Sequence, residues 1–338
     1  DYTKPLIPGP ISHGFDYYFG IPASLDMPPY LYFENDHVVE QATIQDAGSY
    51  EPRGVLWRPG LRAPSFNIQK CLPTLTDKAV EVLHTRKDHP EQPFFLYFAL
   101  PAPHTPWLPL PQYRGKSKAG DYGDYVVEVD AMIGRVLDAL KANGQFENTI
   151  VVVTSDNGAD WKPEDIAHYP HRANAGWRGE KADVWEAGHR IPFLIRWPEH
   201  IPANTVCNEM ASLTDLMGTL AAVLHKRLPP DAGEDSFNLL PALLQIKHAP
   251  IRRTIVDVSS HGMLTIREGD WKLELGIGSG GFSAPNNVTP VPGGPAGQLY
   301  NLADDPHELF NLYQARPEIV AHLSKLLDTY KKQGYTRY

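Results

Sequence analysis

TIVVVTSDNGAD, Thr149 to Asp160, gathers β-branched aliphatics into one block, Ile150 to Val153, and then breaks at once into Ser155, Asp156, Asn157 and Gly158. A short aliphatic block bounded by turn formers reads as a strand buried on both faces, as in a mostly parallel sheet covered by helices. Its abrupt end admits two readings. Asp, Asn and Gly all favour turns. Asp and Asn are also oxygen ligands for a hard cation such as Ca2+ or Mg2+, and adjacent residues at a strand end can both point into one crevice where the pleat breaks. Taken alone, the stretch favours the turn.

Moving outward, Val126, Val129, Ile133, Val136, Leu137 and Leu140 follow helical spacing, and Asn143-Gly144 supplies a stop. Before them, PFFLYFAL (93–100) is bounded by prolines and dense in aromatic and aliphatic residues, which predicts another buried strand. A proline-rich loop containing PAPHTPW follows it. Helical spacing starts near Thr76, with Ala79, Val80 and Leu83 on one face. Residues 1–73 are rich in Pro, Gly and aromatics and read as surface loops with short strands. Downstream, IPFLIRWP (191–198) predicts a strand, and SLTDLMGTLAAVLH (212–225) a helix capped at Ser212 or Thr214. This order predicts an α/β fold with a mixed, mostly parallel sheet, whose ligands sit beyond the carboxyl ends of the strands. His104 and Asp156 each follow a strand, which puts them on one sheet edge in this reading.

Composition shifts after Gln245. TIVDVS, LTIREGDWKLEL and GQLYNL have the spacing of short antiparallel strands, with a Gly/Pro-rich loop from Gly276 to Gly297 between the last two. A final helix is expected from Pro317, ending before Gly334. The domain division follows: 1–248 for the larger α/β portion and 249–338 for a small α+β subdomain with an antiparallel sheet. No internal repeat is present.

The bulk numbers bound the function. The chain has 338 residues, 42% hydrophobic and 21% charged, which is the balance of a globular protein. Its net charge of −9, from 31 basic and 40 acidic side chains, argues against a nucleic-acid partner but permits a locally positive pocket for an anion. Two distant cysteines, Cys71 and Cys207, exclude a thiolate zinc cluster. No apolar run approaches a membrane span, and the sequence shows no signal peptide.

Further constellations are each ambiguous alone. His104 sits in a proline-stiffened loop that suits an anion ligand or general acid, or simply a loop histidine bonded to backbone. WRGEKADVWEAGHRIP (177–192) holds Arg178, Lys181, Glu186 and Arg190; Lys181 is a compact charge for an oxyanion, while Glu and Arg can pair to brace the segment, and the alternative is a solvated charged loop. His168 and His171 just before it face either the same crevice or solvent. Cys71 precedes a helix with no base nearby and reads as structural. Asn287 stands in an N-x-T sequon.

In order, HGFDYYFG, PFFLYFALPAPHTPW, GDYVVEVDAMIGRVLDAL, NTIVVVTSDNGA, RGEKADVWEAGHRIPFLIRWP, REGDWKLEL and QLYNLADDPHELFNL resemble the type I sulfatases of the alkaline-phosphatase superfamily, with arylsulfatase-A-like or N-acetylgalactosamine-6-sulfatase-like character. The resemblance spans almost the whole chain. It implies an alkaline-phosphatase-like three-layer sandwich, incomplete here, with 1–248 as the C-terminal portion of the catalytic domain. It assigns Asp156 and Asn157 to Ca2+ (Mg2+ fitting less well), reversing the turn reading. It assigns His104 to sulfate contact and protonation of the leaving oxygen, and Lys181 to sulfate binding. His171 and His261 match the sugar subsite more loosely. The expected substrate is a sulfated carbohydrate or aryl sulfate, and the expected location is periplasmic, secreted or lysosomal.

One departure is small, Ala187 in place of a glycine in EAGHRIP. Another is large. The family nucleophile is a formylglycine made within C/S-x-P/A-x-R, and nothing here fits, since Leu75 stands where Cys71 would need an Arg. The first Asp-Asp calcium pair and a GKWHLG segment are also missing. In the family these precede HGFDYYFG, so an N-terminal segment is expected beyond this sequence, and the chain alone is expected to show no turnover. Two other readings stay open at this point: a phosphodiesterase or phosphonate hydrolase of the same superfamily, and a non-catalytic sulfatase-like binding protein.

Overall fold

A computed structural model describes residues 2–337. The chain forms two compact units. The first runs to Asn148 and includes Tyr169–His171; the second comprises Thr149–His168 and Arg172 onward.

In the first unit, the loop-rich N-terminal region contains only very short strands. β1 (Phe19–Gly20), β2 (Phe33–Glu34) and β3 (His37–Val38) form one antiparallel sheet, and β4 (Ile44–Asp46) pairs with β5 (Gly60–Arg62). They fold over a core of Leu25, Tyr30, Leu31, Phe33 and Phe66, which reaches Cys71 and Leu75 at the start of α1 (Cys71–Arg86). The next helix, α2 (Gly120–Ala142), packs beside α1 and ends at Asn143 as its spacing predicts. Leu72, Trp107, Tyr125 and Met132 fill the space between them and the proline loop. Two buried acids of α2 hold that loop by its backbone: Leu110 N–H donates to Glu128 (2.8 Å), and Gly115 and Ser117 N–H donate to Asp124 (2.6 and 2.7 Å).

The second unit opens with β6 (Val151–Thr154), followed by α3 (Pro163–His168), the single turn α4 (Glu186–His189) and β7 (Phe193–Arg196). Next come α5 (Asp215–Val223) and α6 (Leu240–Leu243). Neither Ser212 nor Thr214 caps α5. Asp215, the first helical residue, instead ties down the preceding turn: its carboxylate accepts Ser212 N–H (2.8 Å) and pairs with buried Arg252 (2.5 Å).

β8 (Thr254–Val258), β9 (Leu264–Glu268), β10 (Trp271–Glu274) and β11 (Gln298–Asn301) then make an antiparallel meander in the order β11-β10-β9-β8. The helix α7 (Pro317–Gln333) closes it, within the bounds its Pro and Gly predict. Cross-strand register puts Ile266, Leu273 and Leu299 in one row, and they pack on Leu323 and Leu327 of α7. The alternate row, Arg267, Lys272 and Tyr300 with Glu274 and Gln298, belongs to the opposite face.

Two expectations are corrected. The mostly parallel sheet is not found among the described residues: β6 pairs only with β7, and antiparallel, from Val151↔Arg196 to Thr154↔Phe193. β6 is also half-buried rather than covered on both faces, because one ladder and its surroundings leave its side chains partly open. The segment Phe94–Leu100 is not a strand either. Its side chains alternate in exposure, Phe95 at 67% and Tyr97 at 72%, and no ladder pairs it among the described residues. Hydrophobic density predicts where a strand can go, but a strand exists only once a neighbour satisfies its backbone. No helix among the described residues is long and apolar enough to cross a membrane.

Candidate functional site

In the second unit the site starts where β6 stops. Thr154 Oγ1 donates to the Pro192 carbonyl (2.9 Å), and Ser155 Oγ reaches Asp156 Oδ1 (3.3 Å) and the Asn157 carbonyl (3.2 Å). Asn157 Nδ2 donates to the Gly158 carbonyl (3.0 Å), which leaves Oδ1 as its outward acceptor. Asp156 is exposed, so a carboxylate and an amide oxygen emerge side by side. Gly158 is what lets the chain turn there. Its N–H donates to the Gly188 carbonyl (3.1 Å), and a Cβ at 158 would stand 1.7 Å from the Ala187 carbonyl oxygen.

Lys181 is tied to this turn through its backbone. Its N–H donates to the Ala159 carbonyl (3.1 Å), and Asn174 grips residue 159 on both polar groups (2.9 Å each). The Lys181 side chain is half-buried, and among the described residues no hydrogen bond or ion pair engages its ammonium. Glu180 beside it is buried. Burial, then the charge and hydrogen bond of Asp160 and the charge of Asp183, push its carboxyl up to about 7. Asp183, fully buried, accepts Glu180 N–H (2.9 Å) on one oxygen and Phe282 and Ser283 N–H (2.8 and 3.1 Å) on the other.

His261 belongs to the same neighbourhood. The Ala182 carbonyl accepts Ser260 N–H (3.0 Å), and His261 N–H donates to the Gly280 carbonyl (3.1 Å). Asp156, Asn157, Lys181 and His261 are therefore joined through adjacent backbone segments of one unit.

His104 and His171 lie in the first unit. His104 Nδ1 is 2.9 Å from the Thr105 carbonyl, 3.3 Å from Ser24 Oγ and 3.9 Å from the Asp26 carboxylate. A carbonyl only accepts, so Nδ1 carries the proton and Nε2 remains for other work. His171 is exposed, with its ring 6.5 Å from that of Tyr122. Cys71 is buried and free, and burial pushes its thiol up to about 12, in keeping with a structural role.

The profile of the Sulfatase family matches residues 3–226. The chain belongs to the sulfatase family. It is similar to the N-acetylgalactosamine-6-O-sulfatase of Bacteroides thetaiotaomicron, with 32% identity over 98% of this chain and 71% of that protein. Human arylsulfatase A is 31% identical over 94% of this chain and 64% of its own length. A solved structure from work on glycosaminoglycan metabolism by B. thetaiotaomicron superposes with a TM-score of 0.84 at 29% identity, covering 98% of this chain and 76% of that one. A sulfatase from Pseudoalteromonas shares the fold, with a TM-score of 0.71 at 23% identity over 96% of this chain and 68% of that one. The chain thus spans roughly two thirds to three quarters of these relatives.

What sequence reasoning missed in this sulfatase-family chain is the support beneath the turn at Glu186–His189. The expected Glu186–Arg190 brace forms (2.7 Å), but it is part of a larger buried network. Lys272, 2% exposed, places its ammonium 2.8 Å from Glu308, 3.1 Å from Glu186 and 3.7 Å from Glu274. Arg267 lies 3.5 Å from Glu186, Glu308 accepts Glu186 N–H (2.7 Å), and Arg178 bonds the Glu308 carbonyl while stacking 3.7 Å over Trp185. Burial raises the Glu186 carboxyl, but Lys272, Arg190 and Arg267 outweigh it and hold it down at about 2. Burial pushes the Glu274 carboxyl well above the usual range, which favours its protonated form. A signal was present in GDWKLEL: Lys and Glu two apart on a strand share a face, and a charged pair on the face opposite Leu273 must meet partners.

Proposed function

We propose that the whole protein hydrolyses sulfuric esters of sulfated sugars. One observation carries this reading: Lys181 is a half-buried ammonium with no partner of its own among the described residues, fixed by its backbone to the turn that carries exposed Asp156 and half-buried Asn157. An unpaired cation in a partly desolvated place is suited to an anionic group. The Bacteroides relative, named for its action on N-acetylgalactosamine 6-sulfate, supports a 6-sulfated hexosamine as the first substrate to try.

Asp156 and Asn157 form an oxygen-only donor pair that fits a hard cation, Ca2+ in particular, since irregular loop oxygens suit its flexible coordination better than the strict octahedron of Mg2+. Two residues are short of the ~6–8 oxygens Ca2+ takes, so other donors must complete the shell. When bound, the cation would offset negative charge on the sulfate. Attack on sulfur would be the task of a formylglycine, for which these residues hold no motif. Lys181 binds a sulfate oxygen and opposes the charge that grows on the ester oxygen. His261 contributes a hydrogen bond to a sugar hydroxyl.

The test is sulfate release from N-acetylgalactosamine 6-sulfate by the full-length protein in Ca2+. Lys181→Ala is expected to lower kcat/KM by ~10²–10³-fold, the usual loss when one charge-stabilising donor is removed. Asp156→Ala should abolish Ca2+ dependence. Hydrolysis of a phosphodiester but not of the sulfate ester, or a Lys181→Ala enzyme as fast as the parent, would refute the proposal.

A further inference from the structure

Three backbone segments of the second unit run side by side next to Lys181: 180–184, 259–261 and 279–283. Five hydrogen bonds lace them, one of them from Ser283 N–H to Asp183 (3.1 Å). Ser260 N–H donates to the Ala182 carbonyl (3.0 Å), Val184 N–H to the Ser279 carbonyl (2.8 Å), His261 N–H to the Gly280 carbonyl (3.1 Å), and Phe282 N–H to buried Asp183 (2.8 Å). Gly281 approaches so closely that a Cβ there would lie 2.3 Å from the Ala182 carbonyl oxygen.

The 279–283 loop is closed on itself. Ser279 Oγ donates to the Ser283 carbonyl (2.6 Å) and accepts Gly281 N–H (3.0 Å), Asn286 Nδ2 bonds the Gly281 carbonyl (2.6 Å), and Gly280 takes φ +61°. Ser279, Gly280 and Gly281 are buried, yet Phe282 stands 50% exposed. No aromatic ring or cation stacks on it among the described residues. A single buried carboxylate, Asp183, thus holds both the backbone N–H of Glu180, which precedes Lys181, and the backbone N–H of Phe282, whose ring is exposed.

We propose that Phe282 is the platform for the sugar ring of a sulfated hexose or hexosamine whose sulfate is held by Lys181, with His261 at its rim. This rests on the reading of Lys181 as the sulfate ligand. A pyranose presents a face of C–H groups, carrying partial positive charge, that suits the negative face of an aromatic ring. A ring already ordered by its loop loses little entropy on binding, so the contact contributes affinity without a folding cost. Phe282 therefore sets a preference for the ring bearing the sulfate, not for the sulfate itself.

The experiment is ligand titration of the full-length protein in Ca2+, followed by NMR, with N-acetylgalactosamine 6-sulfate and with inorganic sulfate as the two probes. Phe282→Ala should weaken the sulfated sugar by about 3- to 10-fold and leave inorganic sulfate unchanged; Phe282→Trp should restore the sugar. Lys181→Ala should weaken both probes. If Phe282→Ala binds the sulfated sugar as the parent does, while Lys181→Ala still loses both probes, the platform is wrong and the sulfate reading stands. Equal loss of both probes in Phe282→Ala would mean that the loop has merely collapsed, which also overturns the platform. A parent chain that binds neither probe overturns the sulfate reading and the platform together.

Discussion

Gly158 and Gly134 are both glycines without a left-handed φ, and their surroundings make them opposites. At Gly158 the Ala187 carbonyl occupies the space a side chain would need, and that carbonyl belongs to backbone which is itself pinned by Glu186. Gly158→Ala should therefore destabilise by ~3 kcal/mol or more and misplace Asn157. Gly134, inside α2, meets nothing within 4 Å, so Gly134→Ala should stabilise by ~0.5–1 kcal/mol through helix propensity. Urea unfolding of the two variants checks both signs; two mild effects of the same sign would show that the close approach at 158 is relieved by a small shift. The sequence alone shows two glycines, one in a turn motif and one in a helix. That the first is sterically obligatory depends on a carbonyl brought in from twenty-nine residues away, between Gly158 and Ala187.

At the scale of elements, the antiparallel meander was legible because its signals are local. Period-two alternation, the Gly-Asp hairpin at 269–270, Pro317 and Gly334 each act within a few residues, and β8 to β11 and α7 fall where they place them. The 93–100 stretch and the parallel sheet were misread because pairing is non-local, and hydrophobic density does not name the neighbour. The meander's polar face makes an asymmetric prediction. Lys272→Met leaves Glu308 buried without its ammonium and takes one of three cations from Glu186, and should cost ~3–5 kcal/mol. Glu274→Gln replaces a carboxyl whose neutral form burial favours with an amide that can still accept from Gln298 (2.6 Å), and should change stability by less than ~1 kcal/mol. Thermal unfolding with calorimetry separates the two; equal losses would mean that Glu274 is ionised.

For the whole molecule, the two best-defined buried acids give a pH dependence with opposite signs. Glu186 binds its proton near pH 2 when folded, against an ordinary 4.5, so its stabilisation holds above 4.5 and drains away as pH falls toward 2. Glu180 keeps its proton to about 7, so its contribution is full below 4.5 and is lost as pH rises through 7. From these two groups stability should peak near pH 4.5 and decline toward neutrality. Glu180→Gln, neutral at every pH, should flatten the neutral-side decline in urea midpoints measured from about pH 4 to 8; an unchanged slope in the variant would remove Glu180 as the cause. The sequence by itself determined the helices, the hairpins, the family resemblance and the residues that carry charge or oxygen ligands, since all of these are written in local spacing and side-chain type. Only the tertiary structure decided that Lys181 has no counter-ion among the described residues while Lys272 has three acids, that Asp183 holds two loops at once, and that Phe282 stays in the open. Those outcomes depend on which backbone amides and charges are left to be satisfied after distant segments pack, and no local pattern contains that sum.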